Sequence, residues 1–498
     1  MSIEPVSLWF GALGGQNSQH TDKLKQSREL VEMATASNVI PDPEYALITS
    51  PGFSKVRATA ITDSPDIIGM YHLGGLADEF VLMGGNGLLY RDNANPPGSI
   101  TSGTAFTASA TNYPRFDVHE NLTIIVNQSR DLPQTLNSSM TRADLGGTPP
   151  RGIDYKVFAR RGCMFAPSYS GTTYRSYMSF NSVNDDHDAW TTPITTNRLN
   201  FGREGTKANV LGGELFEAHL MTFTEDMVFP VYATPNADQP LGFRDAVFKE
   251  DNGGPSIIHS VVAGDGKLFW ISRNMDVKMM LRDMRVVSIG YPIQPFLRGL
   301  NDSRRTSIIG GYEPRYQLVI WAVSDGSDTE NSDAILYHIP TGQFYFRTIS
   351  RASFANRVVS GQARLIGGGY SGFFYNEFDS STTGDLDNAA SAIDADIITP
   401  RHHLGLPDAR KHVRFFEAEF DPIGSETVTV SYRYDDNTSW SNFSSTAAIS
   451  GTDVYRKRFY FGSAFRRVQL RFRDANSGER YRLLRYGFPK PAWTAPAP

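Results

Sequence analysis

Apolar and polar positions alternate along most of this chain in short runs, each closed by Gly, Asp, Asn or Pro. In the middle third, Gly202 to Arg347, one unit keeps returning: an apolar run rich in Val, Ile, Phe, Tyr and Trp, a turn, and a second run. It appears as Leu215–Thr224 into Met227–Tyr232, as Ile257–Ala263 into Lys267–Ser272, and as Arg315–Val323 into Ala334–Ile339. The breaks, such as Gly264-Asp265-Gly266 and Asp325-Gly326, hold the residues that tight turns need. Repeated strand–turn–strand units predict an all-β array of the propeller kind. The same pattern extends upstream. Phe80–Met83 and Leu88–Tyr90 flank Gly84-Gly85-Asn86-Gly87, where Asn-Gly predicts a pair of residues with positive φ. Leu122–Asn127 is a further strand, and Tyr155–Ala159 and Cys163–Ala166 flank Arg160-Arg161-Gly162. Ala363–Gly368 and Gly372–Tyr375 make the last hairpin, whereas 91–114 and 141–154 read as long loops.

The two ends differ from this body. Phe10–Gly15 reads as a flexible glycine-rich lead. In Asp22–Ser37, Leu24, Leu30, Val31 and Ala34 predict a short helix capped by Thr21 or Asp22. The expectation is an arm packed on its own chain or on a neighbour. After a polar linker at 378–396 the alternation becomes long and clean, as in Phe416–Phe420, Val428–Tyr434 and Arg467–Arg473. Period two with one solvated face predicts an antiparallel β-sandwich. The division expected is therefore an arm at 1–50, a β-propeller-like body at 51–395 and a C-terminal sandwich or platform at 396–498.

Composition agrees with a folded globular chain: 498 residues, 40% hydrophobic, 12% aromatic, with 44 Gly and 28 Pro in no strict period. The net charge of −5 gives no global field that draws nucleic acid, but it is unevenly spread. Residues 401–498 carry 16 Lys+Arg against 10 Asp+Glu, leaving 32 against 43 elsewhere. The single cysteine, Cys163, permits no internal disulfide and reads as a small buried apolar residue. No stretch has the length and apolarity of a signal peptide or a membrane span, so folding in a reducing cytoplasm, with no membrane anchor, is expected.

Motifs for chemistry are thin. There is no phosphate loop and no strand-to-helix GxGxxG, and Gly369-Tyr370-Ser371-Gly372 misses the nucleophile elbow. His402, His403 and His412 cluster, but neighbours on a strand point to opposite faces, so surface or interface imidazoles are expected rather than metal ligands. Asp185/Asp186/Asp188, Asp385/Asp387 and Asp435/Asp436 fit turn chemistry better than calcium or a glycosidase pair. Ser431–Trp440 lacks the spacing of an Asp-box. No catalytic residue, cofactor or metal is expected. Arg456, Lys457, Arg458, Arg466 and Arg467, interleaved with aromatics, could touch phosphates without reading sequence or form a subunit contact. Arg298, Arg304 and Arg305, around Tyr291–Phe296, share that ambiguity.

Several stretches together carry a family likeness: Ser50-Pro51-Gly52-Phe53, Gly212–Leu215 into Leu220–Glu225, Gly266–Ser272, Leu336–Gln343 and Pro400–Lys411. In their order the chain resembles the tail nozzle (DNA-stabilisation or tail-tip) proteins of short-tailed bacteriophages, loosely and over about 115–440. The resemblance implies a non-enzymatic virion protein of the tail, assembled in the host cytoplasm. It implies a ring of six copies below the tail adaptor, next to fibre or spike proteins. That ring would extend and close the channel through which double-stranded DNA is ejected. A body that is acidic overall suits such a conduit, since a strongly basic lumen would hold DNA by counterion release. The rival expectations are a receptor- or carbohydrate-binding (or glycan-processing) propeller, with an aromatic pocket and a carboxylate pair, and a monomeric propeller scaffold for protein partners.

Overall fold

The structure is a computed structural model. It describes the chain except residues 1–5, 11–12, 17–30, 43–45, 74–78, 129–130, 191–195, 203–208, 360, 380–383, 386–390, 406–407, 423–425, 444–446, 450–453, 475–479, 490–491 and 494–498. Short antiparallel hairpins follow one another along residues 67–379 and pair into seven consecutive arrays of four or five strands, the seventh completed by a strand from before residue 67. The innermost strands of successive arrays are Ile67–His72, Arg115–His119, Asp154–Phe158, Val210–Phe216, Val262–Gly264, Ile309–Glu313 and Ser353–Val359. The seventh packs against the first, so the arrays close into a ring. This is a seven-bladed β-propeller. Among the described residues the one α-helix is the six-residue Gln294–Gly299.

Closure is non-local. The last blade is built from Ser353–Val359, Gln362–Gly368 and Phe374–Asp379, and its outer strand is Gly52–Lys55 from the other end of the propeller sequence. Phe53 of that strand sits edge-on to Tyr375, with ring centroids 5.4 Å apart. The Arg351 guanidinium lies 4.4 Å over Phe53 and 4.1 Å over Tyr375. Arg351 is paired with Glu377, and Arg347 approaches the same carboxylate at 3.5 Å. Both arginines and the glutamate are buried, so the closing strand is clasped by a desolvated ion cluster.

The C-terminal part is a sandwich of two sheets. One runs Tyr455–Tyr460, Phe415–Pro422, Tyr481–Pro489, and is completed by Leu47–Thr49, Val39–Pro41 and Val6–Phe10. The other runs Glu426–Tyr434, Val468–Asp474, Ala395–Ile398, Thr35–Ser37. The second sheet does not end there. Ser37 pairs in parallel with Phe346 on the outer strand of the sixth blade, so blade and sandwich share one continuous sheet. One apolar cluster joins Leu318, Ile320 and Leu336 of that blade to Phe416, Phe472 and Tyr486 of the sandwich.

Several expectations are corrected. The expected flexible lead, Phe10–Gly15, is strand where it is described: Phe10 ends the paired strand Val6–Phe10 and Leu13–Gly15 lie in Leu13–Gln16, while Gly11 and Ala12 lie outside the described residues. The C-terminal end of the expected helix, Val31–Met33 and Thr35–Ser37, is strand, because these residues fill gaps in sheets made elsewhere; its start, Thr21–Leu30, lies outside the described residues. Leu215–Thr224 is two strands turning at Glu217, where φ is 50°. Ile257–Ala263 begins as the 3-10 turn Ile258–Ser260. At Asn86-Gly87 it is Gly87 that takes the positive φ, 80°; the Asn86 side chain instead accepts from Leu88 N (3.1 Å) and donates to Tyr90 Oη (2.7 Å). The loop at 141–154 contains the outer strand Arg142–Asp144 of the second blade.

Candidate functional site

The loops that lead into the inner strands and those that join the second and third strands of each blade lie on one face, and there they surround a cleft. Its polar wall includes Ser256, Arg273 and Thr306, shared by two connected lobes of about 360 and 480 Å³. Asn112, before the inner strand of the second blade, and Arg305, before that of the sixth, complete this wall. Ile153, Leu211, Ile257 and Ile258 form an apolar wall opposite. Arg273 lies 3.3 Å from Glu225, and Arg305 pairs with the exposed Asp302. Three donors here are buried without a partner: Ser256 Oγ, Asn112 Nδ2 and the Nε of Arg305.

Beneath the cleft the propeller axis is filled rather than open. Inner strands of the blades line a cavity of about 160 Å³, with Tyr71, Arg115, Lys156, His259 and Ser353 on its wall. Arg115 Nε donates to Asp154 at 2.9 Å and its Nη2 to Glu214 at 3.2 Å, and Lys156 Nζ donates to Glu214 at 3.0 Å. Burial opposes the Arg115 charge, but Asp154 and Glu214 outweigh it and hold the guanidinium firmly protonated. Burial likewise pushes Glu214 up, and Lys156 and Arg115 outweigh it to keep the carboxyl below its usual range. His259 goes the other way. Burial, reinforced by Arg115, pushes its imidazole down to about 3. It is therefore neutral, with Nε2–H donating to Pro114 O at 3.1 Å. Gly212 makes the cluster possible: its φ of 143° turns the next amide so that Gly213 N donates to Asp154 Oδ2 at 2.8 Å. The cavity has room for a few ordered waters and none for a nucleic-acid duplex.

The basic residues singled out from sequence fall in three places. Arg298 is exposed on the short helix; of the two arginines that follow, Arg305 lines the cleft, whereas Arg304 lies beside Tyr113, Tyr370 and Asp66. Arg456, Lys457 and Arg458 lie on the edge strand Tyr455–Tyr460. Arg456 pairs with Glu417 (3.4 Å) and Glu419, Arg458 Nε with Glu417 (2.6 Å), and Arg485 Nη2 donates to Glu419 (3.1 Å). Lys457 lies 5.8 Å over Phe459. The glutamates at 417 and 419, expected on a solvated face, are buried under these arginines. Much of the C-terminal basic charge is thus neutralised within the chain. Arg466 is exposed and Arg467 partly so, and both backbone amides donate to Asp435 (2.8 and 2.9 Å).

Of the histidines expected at a surface or interface, His412 is exposed, whereas His402 and His403 are buried; His402 Nε2 meets Tyr486 Oη at 3.0 Å. Among the described residues no group of His, Cys, Asp and Glu is arranged to hold a metal ion. Asp186, Asp188 and Asp435 accept from backbone amides, as turn residues do; Asp387 lies outside the described residues. Sequence reasoning missed Arg115, Asp154, Lys156, Glu214 and His259. Their one local signal is a charge inside an otherwise apolar strand, as in Asp154-Tyr155-Lys156-Val157-Phe158. It also missed Asn112, Ser256 and Arg273, which sit in ordinary turn sequence.

No family model and no curated protein matches the chain. Among solved structures it is similar to BBS1N in complex with ARL6DN (9% identity, TM-score 0.41, covering 71% of this chain and 100% of that one). It is also similar to the Neurospora crassa Pan2 WD40 domain (9%, 0.38, covering 68% and 96%). A third is YCF48 bound to D1 peptide (10%, 0.38, covering 66% and 99%).

Proposed function

We propose that the chain is a structural protein of a short-tailed bacteriophage tail, one of several copies in a nozzle ring that extends and closes the DNA-ejection channel. The observation that supports this reading most is the sheet shared by the sixth blade and the sandwich through Phe346 and Ser37, backed by one common apolar cluster. A component that holds pressurised DNA works by shape, and a propeller welded to its platform transmits force without a hinge. In this reading DNA runs between copies, because the axis of each propeller is filled by the Arg115, Lys156 and Glu214 cluster. Arg298 and Arg466, both exposed, are the contacts to try first for a neighbouring copy or passing DNA. Its partners are then further copies of itself, an adaptor ring above, and fibre or spike proteins beside it.

Mass photometry and negative-stain imaging of the purified chain, alone and with a purified tail adaptor ring, test this. The expected result is a ring of six copies, free or seated on the adaptor. A chain that stays monomeric at every concentration and ignores adaptor rings overturns the proposal.

A further inference from the structure

Two features of the cleft on the loop face are not accounted for by contacts within the fold: unpartnered buried donors and loosely held cations. Ser256 and Asn112 are 5% and 6% exposed, yet Ser256 Oγ and Asn112 Nδ2 have no hydrogen-bond partner. Buried donors left unpaired in this way cost stability, and a native chain keeps them where something else completes them. The cations beside them are only loosely engaged. Arg305 keeps a buried Nε without a partner; its Nη1 donates to Arg273 O at a long 3.4 Å, and its Nη2 meets Asp302, a side chain 77% exposed. The 3.3 Å contact of Arg273 with Glu225 leaves most of that guanidinium fork unused. The exposed Arg305–Asp302 pair contributes little and can be shared with or yielded to a ligand, and the part-exposed Arg273 has donors to spare beyond Glu225.

We propose that this cleft binds a carboxylate carried on an apolar stem, the chemistry of an acidic peptide side chain beside an aliphatic residue or of a free aliphatic acid. The charge sets the class. Arg273 and Arg305 are offset in part by Glu225 and Asp302, so a single negative charge is accommodated and a phosphate dianion is not. A planar carboxylate matches the guanidinium fork and accepts from Ser256 and Asn112 at once. The stem is set by Ile153, Leu211, Ile257 and Ile258, which offer aliphatic contact and nothing for the hydroxyls of a sugar acid.

The test is saturation-transfer NMR on the full chain with 4-methylpentanoate, acetyl-Glu-Leu-amide, 4-methylpentanol, glucuronate and inorganic phosphate. The first two are expected to bind, with the strongest saturation on their methyl groups, and the other three more weakly. Arg273→Gln and Arg305→Gln should each weaken binding about tenfold, the size of one charge-assisted hydrogen bond, with tryptophan fluorescence unchanged. Ser256→Ala should weaken it by less. Tighter binding of acetyl-Glu-Leu-amide than of the free acid assigns the natural ligand to a peptide, and the reverse order to a small molecule. Four results would overturn the proposal: equal signals from acid and alcohol, binding unchanged in the double arginine variant, glucuronate or phosphate binding at least as well, or no binding, in which case water alone completes Ser256 and Asn112. None of these outcomes bears on ring formation, which is read separately by mass.

Discussion

Glu377→Gln is the substitution that asks most of the propeller's closure. The carboxylate it removes lies between Arg351, which is fully buried, and Arg347, which is 2% exposed. Unit charges 3.5 Å apart, the separation of Arg347 Nη1 and Glu377 Oε2, attract by about 5 kcal/mol at an effective dielectric of about 20. Removing one member of a buried pair and leaving the other charge in place costs about 3–5 kcal/mol in comparable cases, so the two routes agree. The loss should appear where the clasp acts, on the strand Gly52–Lys55 and its partners Tyr375 and Asn376. Hydrogen exchange followed by mass spectrometry is the assay, since a chain with two joined modules has no single unfolding free energy. Opening made easier by 3–5 kcal/mol lowers protection of Gly52–Lys55 by about a hundred- to a thousandfold or more. Asp302→Asn, at an exposed carboxylate, should leave that peptide unchanged. Protection that falls less than about threefold, roughly 0.6 kcal/mol, would refute the idea that the ion cluster clasps the ring.

Three further outcomes follow from the same structure. His259 is pushed down to about 3 in the fold and returns to about 6.5 on unfolding, so between those values the unfolded chain binds the extra proton. Its contribution is complete above about pH 6.5 and is lost on acidification by about 1.4 kcal/mol per pH unit; urea midpoints of wild type and His259→Gln should diverge below that pH, and parallel curves would contradict it. Cys163 is buried, and burial pushes its thiol up, so an aromatic disulfide reagent should label it only after denaturation; labelling of the native chain at the rate of a free thiol would place it elsewhere. Gly212→Ala puts a Cβ 2.5 Å from Ile258 Cγ1 and 2.6 Å from Asp154 Oδ2 at a φ of 143°, and should cost about 1–3 kcal/mol in thermal or urea unfolding; an unchanged midpoint would show that the backbone there relaxes freely.

What could be read in the sequence was local. Hairpins such as Phe80–Gly84 with Leu89–Arg91 declare themselves through Gly and Asn turns, and the long alternations at Glu426–Tyr434 and Val468–Asp474 declare the sandwich. The pairing of Gly52–Lys55 with Phe374–Asp379 spans more than three hundred residues and leaves no trace in either segment. Val31–Met33 and Thr35–Ser37 carry a weak helical spacing, and tertiary pairing overrides it. Glu417 and Glu419 alternate as solvated residues would, but Arg456, Arg458 and Arg485 arrive from other strands and cover them. The cleft follows the same logic: Arg305 stands out as part of a basic run, whereas Asn112 of the second blade meets Ser256 and Arg273 of the fifth only because both blades turn loops toward one face.

Propeller and sandwich are joined into one mechanical unit by the sheet that crosses from Phe346 to Ser37. Native-state hydrogen exchange across increasing denaturant measures this directly. Gln343–Thr348 of the sixth blade and Ala395–Ile398 of the sandwich are predicted to lose protection together, in one cooperative opening. If the sandwich strand exchanges at a denaturant concentration where the blade strand stays fully protected, the two modules open separately and do not form one unit.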